Sequence, residues 1–357
     1  MSATVATEVR PERLHTSDLP LRIGVIPGDG TGPEVTREAL RVLDIFRDEL
    51  KVDLIEFDLG ADRYLRTGEV LPDEELVRLA GCDAILLGAV GDPRVPPGIL
   101  ERDLLLRIRF ELDQYVNLRP IIRYRGMTTL IPHHHDEDVD LVVVRENSEG
   151  LYTGGGGFHR KGTPHEVAIQ ESVNTRHGVE RVVRYAFELS MRPGRRRKVT
   201  LVHKTNVLTF AGDLYQRVVD EVAVAYPDVT TEYSHVDAAC LYLIEDPGRF
   251  DVIVTDLGAV IQGGMGIAAG GNINPNGVSM FEPIGGTAPS ETGKGTINPL
   301  AAIAALMMLM RELRQDAVAD RIDRGIGVAV TKMATMRAGL MGFSTSAVGD
   351  LVIEAAS

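Results

Sequence analysis

The chemistry open to this chain is written most plainly in its arginines. Arg102-Asp-Leu-Leu-Leu-Arg-Ile-Arg109 is followed by Tyr115-Val-Asn-Leu-Arg119-Pro120, and Arg145 opens the run Arg145-Glu-Asn-Ser-Glu-Gly-Leu-Tyr152. Read as a helix, Arg102, Leu105, Leu106 and Arg109 fall at i, i+3, i+4 and i+7. They form one face, with two guanidinium groups around an apolar patch. Arg119 precedes a proline and is pushed into extended backbone. A guanidinium holds a carboxylate in a two-pronged fork. Arginines beside two leucines therefore suit a small polycarboxylate carrying an alkyl branch. Taken alone, the same segment also reads as an amphipathic surface helix with solvated arginines.

A second chemical feature lies near the start. The apolar strand Leu21–Ile26 runs into Pro27-Gly-Asp-Gly-Thr-Gly-Pro-Glu34 and a helix from about Val35 to Leu50. Strand, glycine-rich turn and helix leave backbone N–H groups open to a phosphate. Gly28, Gly30 and Gly32 alternate, however, and a tight turn needs glycine for steric reasons alone. His133-His-His135 before an acidic patch reads as a solvated loop rather than a metal site, and Arg195–Lys198 as a solvated turn. Cys82 and Cys240 have neither metal-ligand spacing nor a disulfide pattern.

The elements that must position these groups alternate along the chain. Strands are predicted at Val52–Asp58, Asp83–Gly88, Asp140–Val144, Pro164–Thr175, Val199–Val202, Thr230–His235 and Phe250–Thr255. Helices are predicted at Asp73–Ala80, with Asp73 as N-cap, in the stretch ending before Pro193, at Phe210–Ala225 and at Asn298–Leu313. The Gly154–Gly157 run and the glycine-rich Gln262–Asn276 read as loops. This alternation predicts an α/β fold with a largely parallel sheet. Asp140–Val144 delivers Arg145 at its carboxyl end, where sites in open α/β sheets gather. Val199–Val202 hands over to His203-Lys204-Thr-Asn206, and Thr230–His235 to Val236-Asp237.

A length of 357 residues allows two domains, and 44% apolar with 25% charged residues is ordinary for a globular protein. A net charge of −13 argues against nucleic acid or an anionic membrane as partner. No apolar run reaches the roughly 18 residues of a membrane span, and no secretory core opens the chain. A cytoplasmic protein with a loose tail over residues 1–20 is expected.

Taken in order, Ile26–Glu34, Leu105–Pro120, Arg145–Tyr152, His203–Leu208, His235–Asp237, Met280–Pro289 and Phe343–Asp350 resemble the isocitrate/isopropylmalate dehydrogenase family, the β-decarboxylating dehydrogenases. The resemblance implies an isopropylmalate dehydrogenase-like two-domain α/β fold that is not a true Rossmann fold. Residues 21–114 with 263–357 would form the cofactor-binding domain, and 115–262 the substrate and dimerisation domain. The active site would lie in the cleft between them. Arg109, Arg119 and Arg145 are implied to clamp the carboxylates of a malate core, and Tyr152 and Lys204 to be the acid–base pair. Asp237 and Asp256 are implied as ligands of Mg²⁺ or Mn²⁺, Asp237 serving the site of the other subunit of a homodimer. Asn206, Gly285, Gly286, Thr287, Ala288, Ser290 and Asn298 are implied to hold NAD. The implied reaction is oxidative decarboxylation of a 3-substituted malate. Leu105 and Leu106 favour an isopropyl branch, hence 3-isopropylmalate to 2-oxoisocaproate in leucine biosynthesis. The other readings are tartrate/malate, homoisocitrate or another acidic analogue as substrate, and a non-catalytic relative.

This chain departs from the family pattern in three places. After the strand ending at Thr255 the family's run Asn-Leu-Phe-Gly-Asp is missing and the chain runs straight on as Asp256-Leu-Gly-Ala-Val, with roughly nine residues absent in all, more than two turns of helix. Asp256 matches the second of two family aspartates if the gap precedes it, and the first has no counterpart. The cofactor loop reads Gly285-Gly-Thr-Ala-Pro-Ser290 where the family has His-Gly-Ser-Ala-Pro-Asp, leaving Glu291 as a substitute carboxylate. Arg102 stands where relatives carry glutamate, either as a solvated charge or to receive an acidic substituent.

Overall fold

The computed structural model describes residues 19–128, 139–256 and 267–357. The tail before Leu19, the histidine run 133–135 and the start of the glycine-rich stretch at 262 lie outside the described residues. The chain divides into two compact units. Met1–Gln114, Arg119–Asp140 and Ile261–Ser357 make the first; Tyr115–Leu118 and Leu141–Val260 make the second.

In the first unit β1 (Leu21–Gly28), β2 (Val52–Glu56) and β3 (Ala84–Ala89) are parallel. The strand β4 (Val116–Ile122) carries the chain across the boundary between the units. Late in the sequence the antiparallel pair β11 (Ala269–Ile273) and β12 (Ser279–Pro283) joins the first unit's sheet, with β12 parallel to β3, giving the order β2-β1-β3-β12-β11. The helix α1 (Gly32–Asp44) starts earlier than expected because Pro33 suits a first turn. It turns Val35, Ala39, Val42 and Leu43 inward. The short helix α2 (Ala61–Thr67) was not foreseen. Asp73 does not cap α3 (Asp73–Ala80): Pro72 holds the cap position, and the Asp73 carboxylate instead pairs with Arg107.

The arginine segment differs most from its expected form. Glu101–Leu106 is a π-helical turn that runs into α4 (Arg107–Glu111). A wider turn changes the angular step per residue, so the i+7 relation of Arg102 and Arg109 no longer defines one face. Leu104, Ile108 and Leu112 are the buried face, while Leu105 and Leu106 are half-buried.

In the second unit the order is β5-β10-β8-β9, for β5 (Asp140–Glu146), β8 (Lys198–His203), β9 (Thr230–His235) and β10 (Val252–Thr255). These strands are parallel to their neighbours. Around them lie α5 (Arg176–Ser190), α6 (Thr209–Ala223) and α7 (Val236–Glu245). The stretches expected as a loop and a long strand instead form an antiparallel hairpin, β6 (Gly156–His159) with β7 (Val167–Gln170). Arg195–Lys198 is a solvated turn only in part, since Arg196 and Arg197 are exposed but the run is anchored to a buried carboxylate. Asp251, 1% exposed, accepts from Arg196 N at 2.8 Å and from Arg195 Nη1 at 3.4 Å, because a buried carboxylate must be paired.

The last helices, α8 (Leu300–Glu312), α9 (Asp316–Lys332) and α10 (Thr345–Ala356), belong to the first unit. α8 is apolar on nearly every side, Leu300 through Met310, and is almost entirely buried, as a helix without a polar face must be. Ile108→Ala is expected to lower unfolding free energy by about 2–5 kcal/mol, and Leu105→Ala by clearly less. Urea unfolding of both variants checks which face the π turn sends inward.

Candidate active site

The first unit builds its carboxyl edge around the turn Gly28–Thr31. Gly28 and Gly30 have φ of 74° and 57°, and a side chain at either would run into Ala89 O or Thr287 O. Both glycines are therefore explained sterically. Asp29 is the buried knot. Its Oδ1 accepts from Ala61 N at 2.8 Å and its Oδ2 from Gly91 N at 2.9 Å, tying the turn to α2 and to the loop after β3. Burial pushes the Asp29 carboxyl above its ordinary range, while those two N–H groups pull it back.

The same turn holds the loop after β12. Thr31 N and Oγ1 both donate to Thr287 O, at 2.9 and 3.0 Å, and Gly293 N donates to the buried Glu34. Gly285 and Gly286 are exposed, and a Cβ at either would meet nothing within 4 Å. Ala288 has left-handed backbone at φ 38° and Thr287 is buried. Ser290 is exposed. Next to it, Glu291 accepts from Thr296 Oγ1 at 2.9 Å and faces Lys294 Nζ at 3.4 Å. The Thr296 hydroxyl and then the Lys294 charge hold the Glu291 carboxyl below its ordinary range. Asn298 braces α8, accepting from Leu300 N and donating to Met336 O, each at 3.0 Å.

Arg109 is mostly buried and donates to Glu282 Oε1 at 3.3 Å, an oxygen that also receives Asn272 Nδ2 at 2.8 Å. Glu282 was not singled out from sequence. Its place in Phe281-Glu282-Pro283 at a strand end was the available signal. Arg119 lies on β4 and is half-buried. Arg102 is exposed and pairs with its neighbour Asp103 at 2.8 Å.

The second unit collects its polar groups at the carboxyl ends of four parallel strands. Arg145, 4% exposed, is near the end of β5, and its guanidinium lies 5.2 Å over the Tyr152 ring. Beside it, Glu146 is buried and accepts from Ser148 Oγ at 2.7 Å and Glu149 N at 2.6 Å. Burial raises its carboxyl and these donors oppose the rise. Lys204 leaves β8 and forms an ion pair with Asp237 in the first turn of α7. Asn206 is exposed two residues on. Asp256 follows β10 directly, with Oδ1 3.0 Å from Nε2 of the fully buried His203. The two atoms are close but not aligned for a hydrogen bond. Tyr215 stacks on His203 at 5.1 Å, and its own burial, with Asp256 next in effect, drives its hydroxyl pKa well upward.

Asp256 thus stands at a strand exit rather than on a helix face. Among the described residues, no three His, Cys, Asp or Glu side chains gather around one point. No helix among the described residues is long and apolar enough to cross a membrane.

The sequence pattern described as isocitrate/isopropylmalate dehydrogenase matches residues 22–352. The chain belongs to this family. It is 52% identical over 348 residues to 3-isopropylmalate dehydrogenase of Corynebacterium glutamicum, covering 94% of this chain and 99% of that one. The enzyme of the same name from Nocardia farcinica is 52% identical over 346 residues, with 94% and 100% covered. Among solved structures, isocitrate dehydrogenase from Methylococcus capsulatus superposes with a TM-score of 0.82 at 30% identity, covering 94% of this chain and 99% of that one. The family membership and the mixed α/β fold agree with the resemblance drawn from the motifs.

Asp29→Ala leaves the Ala61 and Gly91 N–H groups without their acceptor and is expected to cost about 2–4 kcal/mol. Asp29→Asn, which keeps one acceptor oxygen, is expected to cost less. Chemical unfolding of the two variants measures the difference.

Proposed function

We propose that this protein is an NAD⁺- and Mg²⁺- or Mn²⁺-dependent oxidative decarboxylase that converts 3-isopropylmalate to 2-oxoisocaproate for leucine biosynthesis, acting in the cytoplasm. One observation carries the reading. The second unit brings an arginine beside a tyrosine, and a lysine beside an aspartate, to one carboxyl edge of its parallel strands. The chain that does so belongs to a family of dehydrogenases.

The donor chemistry fits a hard divalent cation. Asp237 and Asp256 offer carboxylate oxygens, and Asp256 Oδ1 is buried without a hydrogen bond. As the family resemblance implies, we assign Asp237 to the site of a second copy. Lys204 is ion-paired with Asp237, so the two act on one site together. Exposed apolar groups on the second unit support a homodimer with shared sites. Every residue of the β6–β7 hairpin is exposed, Phe158 and Ile169 among them, and a lone two-stranded hairpin is marginal in water. Leu241 and Ile244 on α7 add to that surface.

The loop after β12, with open backbone at Gly285 and Gly286, fits a dinucleotide that approaches closely. We assign Thr287, Ala288, Ser290, Asn298 and Asn206 to it as well, which makes the first unit the main cofactor-binding domain. Ser290 replaces the family's acidic residue, and the Glu291 carboxylate keeps negative charge beside it.

Arg109, Arg119 and Arg145 supply the forks that hold the two carboxylates of the malate core. Leu105 and Leu106, half-buried at the junction of the π turn and α4, receive the isopropyl branch. When bound, NAD⁺ supplies a hydride acceptor for C2, and the cation supplies a Lewis acid for the C2 and carboxylate oxygens. Lys204 takes the 2-hydroxyl proton through a water. The carbonyl formed at C2 makes the C3 carboxylate a leaving group, because its bonding electrons can delocalise onto oxygen. Tyr152 then delivers a proton to C3 after CO₂ has departed.

The test is NADH formation, followed by absorbance, from 3-isopropylmalate and Mn²⁺ with protein of verified mass. Turnover is expected, and a chelator abolishes it. Lys204→Ala is expected to lower kcat by about 10²–10⁴-fold. Absence of turnover from the folded protein overturns the substrate assignment. Leu106→Ala is expected to cut kcat/KM for 3-isopropylmalate by about tenfold or more, with little change for unsubstituted malate. Equal loss on both substrates contradicts the assignment of the branch pocket.

A further inference from the structure

One hydroxyl at the carboxyl edge of the second unit has no place in the roles above. Tyr233 lies on β9, two residues before His235, and its Oη reaches across to the exit of β8. Thr205 N donates to it at 3.2 Å, and Thr205 Oγ1 lies at 2.8 Å. It is 3.3 Å from His203 O, to which it can donate, and 2.8 Å from His235 Nδ1. The two rings meet edge to face at 5.0 Å. A phenol has one proton and two acceptor lone pairs, so these four neighbours fully engage the hydroxyl and compete for its three positions.

The residues bound on the β8 side are those before and after Lys204. The one bound on the β9 side leads within two residues to Asp237. We infer that Tyr233 is a positioning residue whose hydroxyl fixes the backbone around Lys204 and thereby sets the place of its amine beside Asp237. This rests on the reading of Lys204 as the proton acceptor. A lysine amine hangs on a flexible four-carbon stem, so its reach is defined only as well as the backbone that carries it. The turn beyond is closed on Lys204 O by Val207 N at 3.0 Å and Leu208 N at 2.8 Å. Among the hydrogen bonds described at this point, those to Tyr233 Oη link the Lys204 turn to β9. Catalytic groups lose effect steeply when displaced, by about a hundredfold for a shift near 1 Å.

Tyr233→Phe keeps the ring and its contact with His235 and removes only the hydroxyl. In the full-length protein it is expected to lower kcat by about 10- to 100-fold while KM for 3-isopropylmalate stays within about twofold. Placed on Lys204→Ala, it is expected to add no further loss, because a residue that acts through Lys204 has nothing left to position. Thr205→Val, which removes one partner of the hydroxyl, is expected to show the same split in smaller measure and serves if Tyr233→Phe does not fold. Full kcat in a folded Tyr233→Phe protein overturns the inference. So does an undiminished loss on the Lys204→Ala background, or, where only Thr205→Val folds, a wild-type kcat for that variant. Wild-type kcat in Lys204→Ala overturns the reading of Lys204 itself, a separate outcome.

Discussion

The register between β8 and β9 is the constraint on which the second unit's chemistry depends. The strands run parallel, with His203 opposite His235, so both chains leave the sheet at the same level. One residue beyond His203 stands Lys204, and two beyond His235 stands Asp237, within ion-pair reach. A slip of one residue would turn every side chain of the strand to the other face and separate the two. The pair is partly exposed and contributes little to stability, on the order of 0–1 kcal/mol. Its value lies in where it holds an amine. Of the two, β8 is buried and β9 is a polar, half-exposed strand, while the apolar, buried strands β5 and β10, Val142–Val144 and Val252–Val254, serve as supports.

The first unit solves a comparable problem by different means. Its edge loops are joined by buried polar contacts from the glycine turn, through Asp29, Thr31 and Glu34, rather than by strand register. Such contacts stabilise only while every partner is present, since a buried N–H without an acceptor is costly. The turn that the spacing of glycines suggests as a phosphate cradle is, in the structure, chiefly a clamp on the loop after β12. On the proposed assignment, that loop meets the dinucleotide. If the gap lies between Thr255 and Asp256, the proposed cation site keeps one carboxylate where the family has two, and that carboxylate faces a buried imidazole. A hard-cation site with one donor fewer binds its metal more weakly.

Much of this was legible in the sequence. The alternating pattern located β1, β2, β3, β5, β8, β9 and β10, and the ordered motifs gave the family, whereas β11 lies in a glycine-rich stretch expected as loop and β12 was not expected as a strand. Tertiary context decided the rest. The π turn at Glu101–Leu106 has no local signature, because a helix reads alike in sequence whether its turns close on the fourth or the fifth residue. Arg195 looked solvated because the partner of its guanidinium, Asp251, is far along the chain. Asp73 looked like a cap, yet the preceding proline took that position and freed the carboxylate for Arg107. Glu282 reaches Arg109 on α4 from β12, and Tyr233 reaches the neighbours of Lys204 from β9, contacts between elements distant in the chain that no spacing along one segment reports.

In the proposed reaction, oxidation at C2 and loss of the C3 carboxylate are coupled. The most direct test supplies 3-isopropylmalate labelled with ¹³C in the carboxylate on C3 and compares labelled CO₂ released with NADH formed. One labelled CO₂ is expected for each NADH throughout the time course. NADH formed without labelled CO₂ would contradict it and leave a simple alcohol dehydrogenase in its place.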